Sequence, residues 1–582
     1  MPGAATAVAT LPELLRCVAE QILTTRQLAT LCLVNKTFNA AITPLLYRDL
    51  EVNDGTLPLL KVWLEAGRLT HVRALTVSLD KTLSHQETMD TFLPLLGQMG
   101  RLERLTQVTA HIVERWLDKG RASQFEGEGG PGPNGGTRLP VSLLDAFRER
   151  CSGLKHLDIT FCENMGGFLG HSDEALPEGT GEEERRLYGR PDLASFSGLR
   201  SLALRNLYQE LDWWRDQIVT ALRQSPDLQH LELSLGLWTV HLYQAENELA
   251  KFEHWFDELC NAYTATGAKP LRLRSLRLGF ATFPRRSESA EKLADLSCLE
   301  DLHITNEGTY FKGQIVIDMY NHEDEDSGIA FDAFGPDRCP SLRRFSMAVY
   351  HRDVHDMLAQ ADPAWLRNLA LSCEGLWGGW ELPGLLRPDP DGLYPQLPMH
   401  PRMLHMELDR SKVSLVNYEG EHLPSEDIPA AKQVLDDLAA GDDGALEGLG
   451  VHLKVRRGAG EGPADPGEHC FEDLDLLADA VGKLPNLTQL AIVDCKTTYA
   501  KERILEEREA EDAARLLAMA NPRLRYIQVH RRYWRAWRED GNVRLEKLAQ
   551  LDDAAMEVDV KKLGEASQVE LFRFLNWQPQ PL

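Results

Sequence analysis

Four histidines, His156, His230, His303 and His405, fall in or beside short apolar signatures that read as strands, where a row of imidazoles could ligate a metal or titrate near neutral pH. Their spacing argues for packing and surface roles instead. His303 takes a different slot from His156 and His230, and whole repeats separate all of them. Cysteine is the next candidate, and the ten cysteines are scattered from Cys17 to Cys495 with no pair separated by two residues. Zinc-ligand spacing and a dense disulfide framework are therefore absent, and reduced thiols in an intracellular setting, cytoplasmic or nuclear, are expected. The glycine-rich run Gly127 to Gly136 lacks the preceding strand, the following helix and the lysine that cradle a phosphate, so it reads as a linker. Neither a nucleophile elbow nor a paired-histidine metal helix is present. The sequence therefore nominates no catalytic residue, no metal ligand and no cofactor, and the expectation is a binding protein rather than an enzyme.

One cluster carries recognition chemistry. In His530-Arg-Arg-Tyr-Trp-Arg-Ala-Trp-Arg538, the residues Arg532, Tyr533, Trp534 and Trp537 are candidate partner-binding groups, because arginine and large aromatics are enriched at interface hot spots. The competing reading is that the tryptophans cover the end of the fold while the arginines pair with nearby acids. Charge narrows the partner class. The 63 Lys and Arg against 89 Asp and Glu leave a formal net charge of -26, which disfavours a general nucleic-acid binder. No apolar run is long enough to cross a membrane, so neither nucleic acid nor membrane is an expected partner.

Such groups need elements to position them, and the 582-residue chain offers two kinds. From Leu11 to Leu50 the chain reads as two or three short amphipathic helices: Leu11, Leu14, Leu15, Val18 and Ile22 recur at helical spacing, and Leu28, Leu31, Val34 and Phe38 do so again. Thr24-Thr25 marks the break and Pro44 is expected to end the second pattern. Helices this short bury too little to stand alone and need a partner surface. After Leu50 one signature, apolar-x-x-apolar-x-apolar, returns again and again, as in Leu154-Lys-His-Leu157-Asp-Ile159, Leu199-Arg-Ser-Leu202-Ala-Leu204 and Leu487-Thr-Gln-Leu490-Ala-Ile492. This is the core of a leucine-rich repeat, whose last three positions form a short parallel strand.

Helical segments are expected between the strands, among them Val141 to Arg150, Leu211 to Gln224, Lys251 to Ala262, Phe471 to Leu484 and Ile504 to Met519. Several stop at a proline turn such as Ser225-Pro226 or Asn521-Pro522. The predicted fold class is α/β: a short helical N-terminus followed by an irregular leucine-rich-repeat horseshoe with parallel inner strands and outer helices. The expected domains are a disordered 1–10, a helical unit 11–50, a solenoid 51–529, and a cap and tail 530–582 that turns acidic and helical after its basic cluster. Flexible insertions are expected near 121–138, 166–191, 321–328, 417–429 and 456–468, where apolar residues are too few to pack.

The opening Leu11-Pro12-Glu13-Leu14-Leu15, the run Leu31-Cys-Leu-Val34-Asn-Lys-Thr-Phe38 and the closing Pro44-Leu45-Leu46-Tyr47-Arg48-Asp49-Leu50 resemble the F-box proteins, especially fungal members with a leucine-rich repeat domain behind the F-box. The resemblance implies docking onto the Skp-type adaptor of a cullin-based, SCF-type ubiquitin ligase. The residues it assigns to that contact are Leu11, Pro12, Leu14, Leu15, Val18, Ile22, Leu28, Leu31, Val34, Phe38, Pro44, Leu45 and Tyr47. The repeats would then hold a target protein, whose identity the sequence leaves open. The alternative is a leucine-rich-repeat interaction scaffold unrelated to ubiquitin, with the N-terminal helices as a solenoid cap.

Overall fold

The computed structural model describes residues 12–19, 25–53, 55–77, 85–107, 141–160, 192–207, 211–235, 254–279, 284–304, 330–347, 365–371, 401–407, 444–453, 474–493, 507–530, 532–550 and 569–575, with short pieces at 357–358, 361–362, 435–436, 438–440, 471 and 566. The N-terminal 1–10 and the insertions named above lie outside the described residues, as do Leu11 and Ile22. The chain is mixed α/β and divides into an N-terminal unit, Met1–Leu273 with Lys292–Ala294, and a C-terminal unit, Arg274–Glu291 with Asp295–Leu582.

The N-terminal unit opens with three helices, α1 (Pro12–Ala19), α2 (Thr25–Cys32) and α3 (Lys36–Leu46). Pro44 does not end the helical pattern as expected: it lies inside α3, which runs on to Leu46 while Tyr47 N still donates to Thr43 O at 3.1 Å. Six strands follow: β1 (Asp49–Val52), β2 (Ala74–Val77), β3 (Arg104–Gln107), β4 (His156–Thr160), β5 (Ser201–Leu207) and β6 (His230–Leu235). Each pairs in parallel with the next. The register stacks Leu75, Leu105, Leu157, Leu202 and Leu231 on one another, and all five are buried. This leucine row explains why the signature repeats, since a one-residue slip would turn every leucine out to water.

Helices α4 (Leu60–Glu65), α5 (His85–Leu96), α6 (Val141–Arg150), α7 (Leu211–Arg223) and α8 (Trp255–Ala265) alternate with these strands. In α7 the stripe Leu211, Trp214, Ile218, Val219 and Leu222 is buried at helical spacing, and Trp255 of α8 donates its indole N–H to Leu211 O at 2.9 Å. Ser225 at the proline turn accepts the Leu199 N–H at 3.0 Å, tying one turn to the next.

In the C-terminal unit, β7 (Ser275–Leu278), β8 (Asp301–Ile304), β9 (Arg344–Met347), β10 (Asn368–Leu371), β11 (Met403–Glu407), β12 (Gly448–His452), β13 (Gln489–Val493) and β14 (Tyr526–Val529) continue the same plan, each parallel to the next. Helices α9 (Leu474–Lys483) and α10 (Glu507–Ala520) bury leucine and alanine stripes. The turn after α10 is held by Asn521, whose amide donates to Val481 O and Leu484 O, both at 2.9 Å.

The chain then departs from the expectation of an acidic, helical C-terminal cap. β15 (Arg532–Glu539) and β16 (Asn542–Gln550) form an antiparallel hairpin, with β15 also antiparallel to β14. Asp540 and Gly541 at its tip have φ of 50° and 80°, the two positive angles a tight primed turn demands, so two-residue turn chemistry overrides the charge pattern. Helix α11 (Glu570–Leu575) is the last element among the described residues.

Candidate interaction surfaces

The three N-terminal helices have an interior of their own. Leu15 and Ala19 of α1, Cys32 of α2 and Ala41 and Ile42 of α3 are buried together, with Leu28, Leu31, Phe38, Leu45 and Leu46 packed partly against them. Polar locks fix the α2 to α3 corner. Asn35 caps α3 by accepting the Phe38 N–H at 2.9 Å, and Asn39 donates its amide to Cys32 O at 3.1 Å. Tyr47 lies half-buried under the Arg68 guanidinium, 5.6 Å from the ring centre, a cation–π contact that joins the helices to the first repeat.

Eleven of the thirteen residues assigned above to adaptor contact are described, all but Leu11 and Ile22, and they separate into three sets. Leu15 is 6 % exposed and belongs to the interior, because the helix turns it toward Ile42 rather than outward. Leu28, Leu31, Phe38, Pro44, Leu45 and Tyr47 are half-buried. Pro12, Leu14 and Val18 on α1 and Val34 at the corner are exposed, at 42 % for Leu14, 56 % for Val18 and 57 % for Val34. Leu33, absent from that sequence-based assignment, is 85 % exposed. Leu14 and Val18 stand one helical turn apart, on the face beside the one that carries Leu15 and Ala19. This is an apolar stripe left without a partner.

The strands present a second surface. Alternate residues of β4, β5 and β6 point away from the leucine row: His156 and Asp158, Ser201, Ala203 and Arg205, His230 and Glu232. Arg205 bridges two strands, donating from Nη1 to Asp158 at 2.7 Å and from Nη2 to Glu232 at 2.9 Å. Register places His156 and His230 in one row on either side of Ser201. Burial, with the nearby charges of Arg104, His230, Arg200 and Lys155, pulls the His156 pKa down to about 4, so this imidazole is neutral at pH 7. His303 lies in the C-terminal unit, where burial pulls its pKa well below the ordinary value, and His405 lines up with Ala370 and Gly450. Among the described residues no group of histidines, cysteines or acids is placed to hold a metal ion, and no helix is long and apolar enough to cross a membrane.

In the C-terminal unit the same face begins charged and then changes character. Asp301 and Arg344 form an ion pair in which burial raises the carboxyl pKa more than the guanidinium lowers it. From β10 onward the outward positions named are uncharged, with Asn368, Met403, Gly448 and Gln489 in register and Ala370, Gly450 and Ala491 beside them. Helix α11 lies on this face. Leu571 and Phe572 are fully buried against Met403, Ala491 and Tyr533, and the Phe572 and Tyr533 rings meet edge to face at 5.2 Å. A Cβ at Gly448 would collide with Met403 Sδ and would stand in ordinary contact, 3.4 Å, with Leu571 Cβ, so glycine makes room for the Met403 side chain beside the helix. Leu571 N donates to Gln489 Oε1 at 2.8 Å, and Glu570 pairs with Arg367 at 2.8 Å.

The basic, aromatic cluster turns out to be mostly interior. Tyr533 is 0 % exposed beneath α11, and Trp534, in register with Ile527, and Arg532 are also buried, so these three cannot form an open partner site. Both faces of β15 are covered where it begins, which buries three successive residues, and Trp537 alone of the four stays exposed. Gly448 and Gln489 escaped the sequence reading although a signal existed: glycine at both outward positions of Gly448-Leu-Gly450-Val is unusual inside a strand and marks a close approach.

No family model matches the chain, and no curated protein matches it. Among solved structures the chain is similar to that of the Rad7 and Elc1 complex in yeast, with a TM-score of 0.33 and 12 % identity over 84 % of this chain and 87 % of that one.

Proposed function

We propose that the chain is an F-box protein with a leucine-rich-repeat horseshoe, the substrate-recruiting subunit of a cullin-based ubiquitin ligase. Its N-terminal helices dock a Skp-type adaptor, and its strand faces hold a target protein within reach of a ubiquitin-charged enzyme. The rate gain is one of proximity, and the chain supplies no reacting group of its own. The observation that carries this reading is the exposure of Leu14, Val18, Leu33 and Val34 on a helical knob whose interior is already filled. Burying such a side chain on a partner contributes about 1.5–3 kcal/mol, so a few of them make an anchor.

The test is co-purification of the full chain with a Skp-type adaptor. Leu14→Asp with Val18→Asp places two charges in the contact and removes the adaptor from the eluate without disturbing Leu15 and the interior. Retention of the adaptor by that variant contradicts the docking. A second reading, in which the helices only cap a repeat scaffold unrelated to ubiquitin, draws on the Arg68 contact to Tyr47 and on β1 starting directly after α3. It predicts that no adaptor is captured by either form.

A further inference from the structure

Among the described side chains, Val569, Leu571 and Phe572 of the segment that carries α11, together with Ala566, are buried against the strand face, and the helix is six residues long. The Arg367–Glu570 pair at its rim is well exposed on both sides and adds little. The fit is also incomplete. On the same face, Asn368 Oδ1 and Gln528 Oε1 are buried without a hydrogen-bond partner, and so is Arg402 Nε at its edge. Each is a buried acceptor or donor left unmade on the face where α11 packs, and both acceptors belong to side chains that are at most 4 % exposed.

We propose that this face, formed by Arg367, Asn368, Met403, Gly448, Gln489 and Tyr533, is a docking site for a short segment of a partner protein that carries an acid followed by two bulky apolar residues. Residues 569–572, Val-Glu-Leu-Phe, hold the site in the isolated chain as an internal stand-in. The acid meets Arg367, the backbone N–H after it meets Gln489, and the first apolar side chain enters over Gly448. The second stacks on Tyr533. A partner that also donates to Asn368 and Gln528 makes bonds that α11 does not, which favours exchange. This inference rests on the strand face as the client surface and is independent of adaptor docking by the N-terminal helices.

The probe is a fluorescent synthetic peptide with the sequence of residues 566–577, titrated into the full-length chain. Leu571→Asp with Phe572→Asp expels the internal competitor, so this variant binds the probe at least tenfold more tightly than the wild type. Adding Gly448→Leu removes that binding, and a probe with alanine for the glutamate binds several-fold more weakly. Equal affinity for wild type and variant, or no saturable binding to the variant, overturns the proposal. A measurement on the wild-type chain guards against a misfolded variant: saturating probe makes amides 570–575 exchange at least tenfold faster while β12 and β13 are unchanged. Unaltered exchange in α11 overturns it as well. Adaptor capture has no bearing on either readout.

Discussion

The strand face of the N-terminal unit and that of the C-terminal unit share one backbone plan and differ in what stands on it. Beneath both runs an unbroken apolar row, Leu157, Leu202 and Leu231 in one and Leu404, Leu449 and Leu490 in the other. Above it, β4 to β6 carry Asp158, Arg205 and Glu232, a charged lattice that pairs with itself, whereas β11 to β13 carry Met403, two glycines, Gln489 and Ala491, uncharged residues on which α11 packs. Alternation is what allows this. Because successive strand residues point to opposite sides, the fold can be held by one set while the other is free to specify partners. The two units thus spend identical local structure on recognition surfaces of opposite character.

The shared row should be the most sensitive part. Leu231→Ala and Leu490→Ala each remove a fully buried side chain, and each should lower stability by about 2–5 kcal/mol, read as faster amide exchange in the strands of its own unit. Tolerance in one unit alone would break the idea of a common frame. Smaller is the effect of Arg205→Met. It strips the shared partner from Asp158 and Glu232, which are only partly solvated, and should cost about 2 kcal/mol in the N-terminal unit. Asp158→Asn with Glu232→Gln should recover most of that loss, since the neutral amides do not repel.

In the C-terminal unit the matching probe is Gly448→Ala. Its methyl would collide with Met403 Sδ, which packs in one cluster with Leu571, so stability should fall by about 1–3 kcal/mol and α11 amides should lose protection first. The position that corresponds in β5, Ser201, already carries a side chain, and Ser201→Ala should be nearly silent. The smallest effect separates the faces by pH. His156 takes up a proton near the ordinary 6.5 when unfolded but only near about 4 when folded, so the unfolded state binds more protons between those values. The N-terminal unit therefore has its full stability from this group above about pH 6.5 and loses it as the pH falls toward 4. His156→Gln should flatten that slope in acid unfolding curves.

How far the residues could be read in advance follows from the same alternation. The signature places the strands because leucines buried in register leave a strict trace, and the helix expected at Val141 to Arg150 is α6 at those bounds. The rim of the fold was harder. Basic and acidic residues in 532–550 pointed away from a strand, yet the Asp540-Gly541 turn and cross-strand pairs such as Arg535 with Glu546 make a hairpin there. Which leucines of the N-terminal helices face outward depended on how three helices close on one another. Periodicity put Leu14, Leu15 and Val18 on one broad stripe, and only packing against Ile42 and Cys32 divides Leu15 from its neighbours.

Amide exchange of the full chain with and without a purified Skp-type adaptor tests the proposed division of labour most directly. Adaptor docking through the exposed stripe predicts new protection in residues 12–19 and around Leu33 and Val34, with the strands of both units unchanged. Binding without protection there, or protection confined to the strand faces, would contradict it.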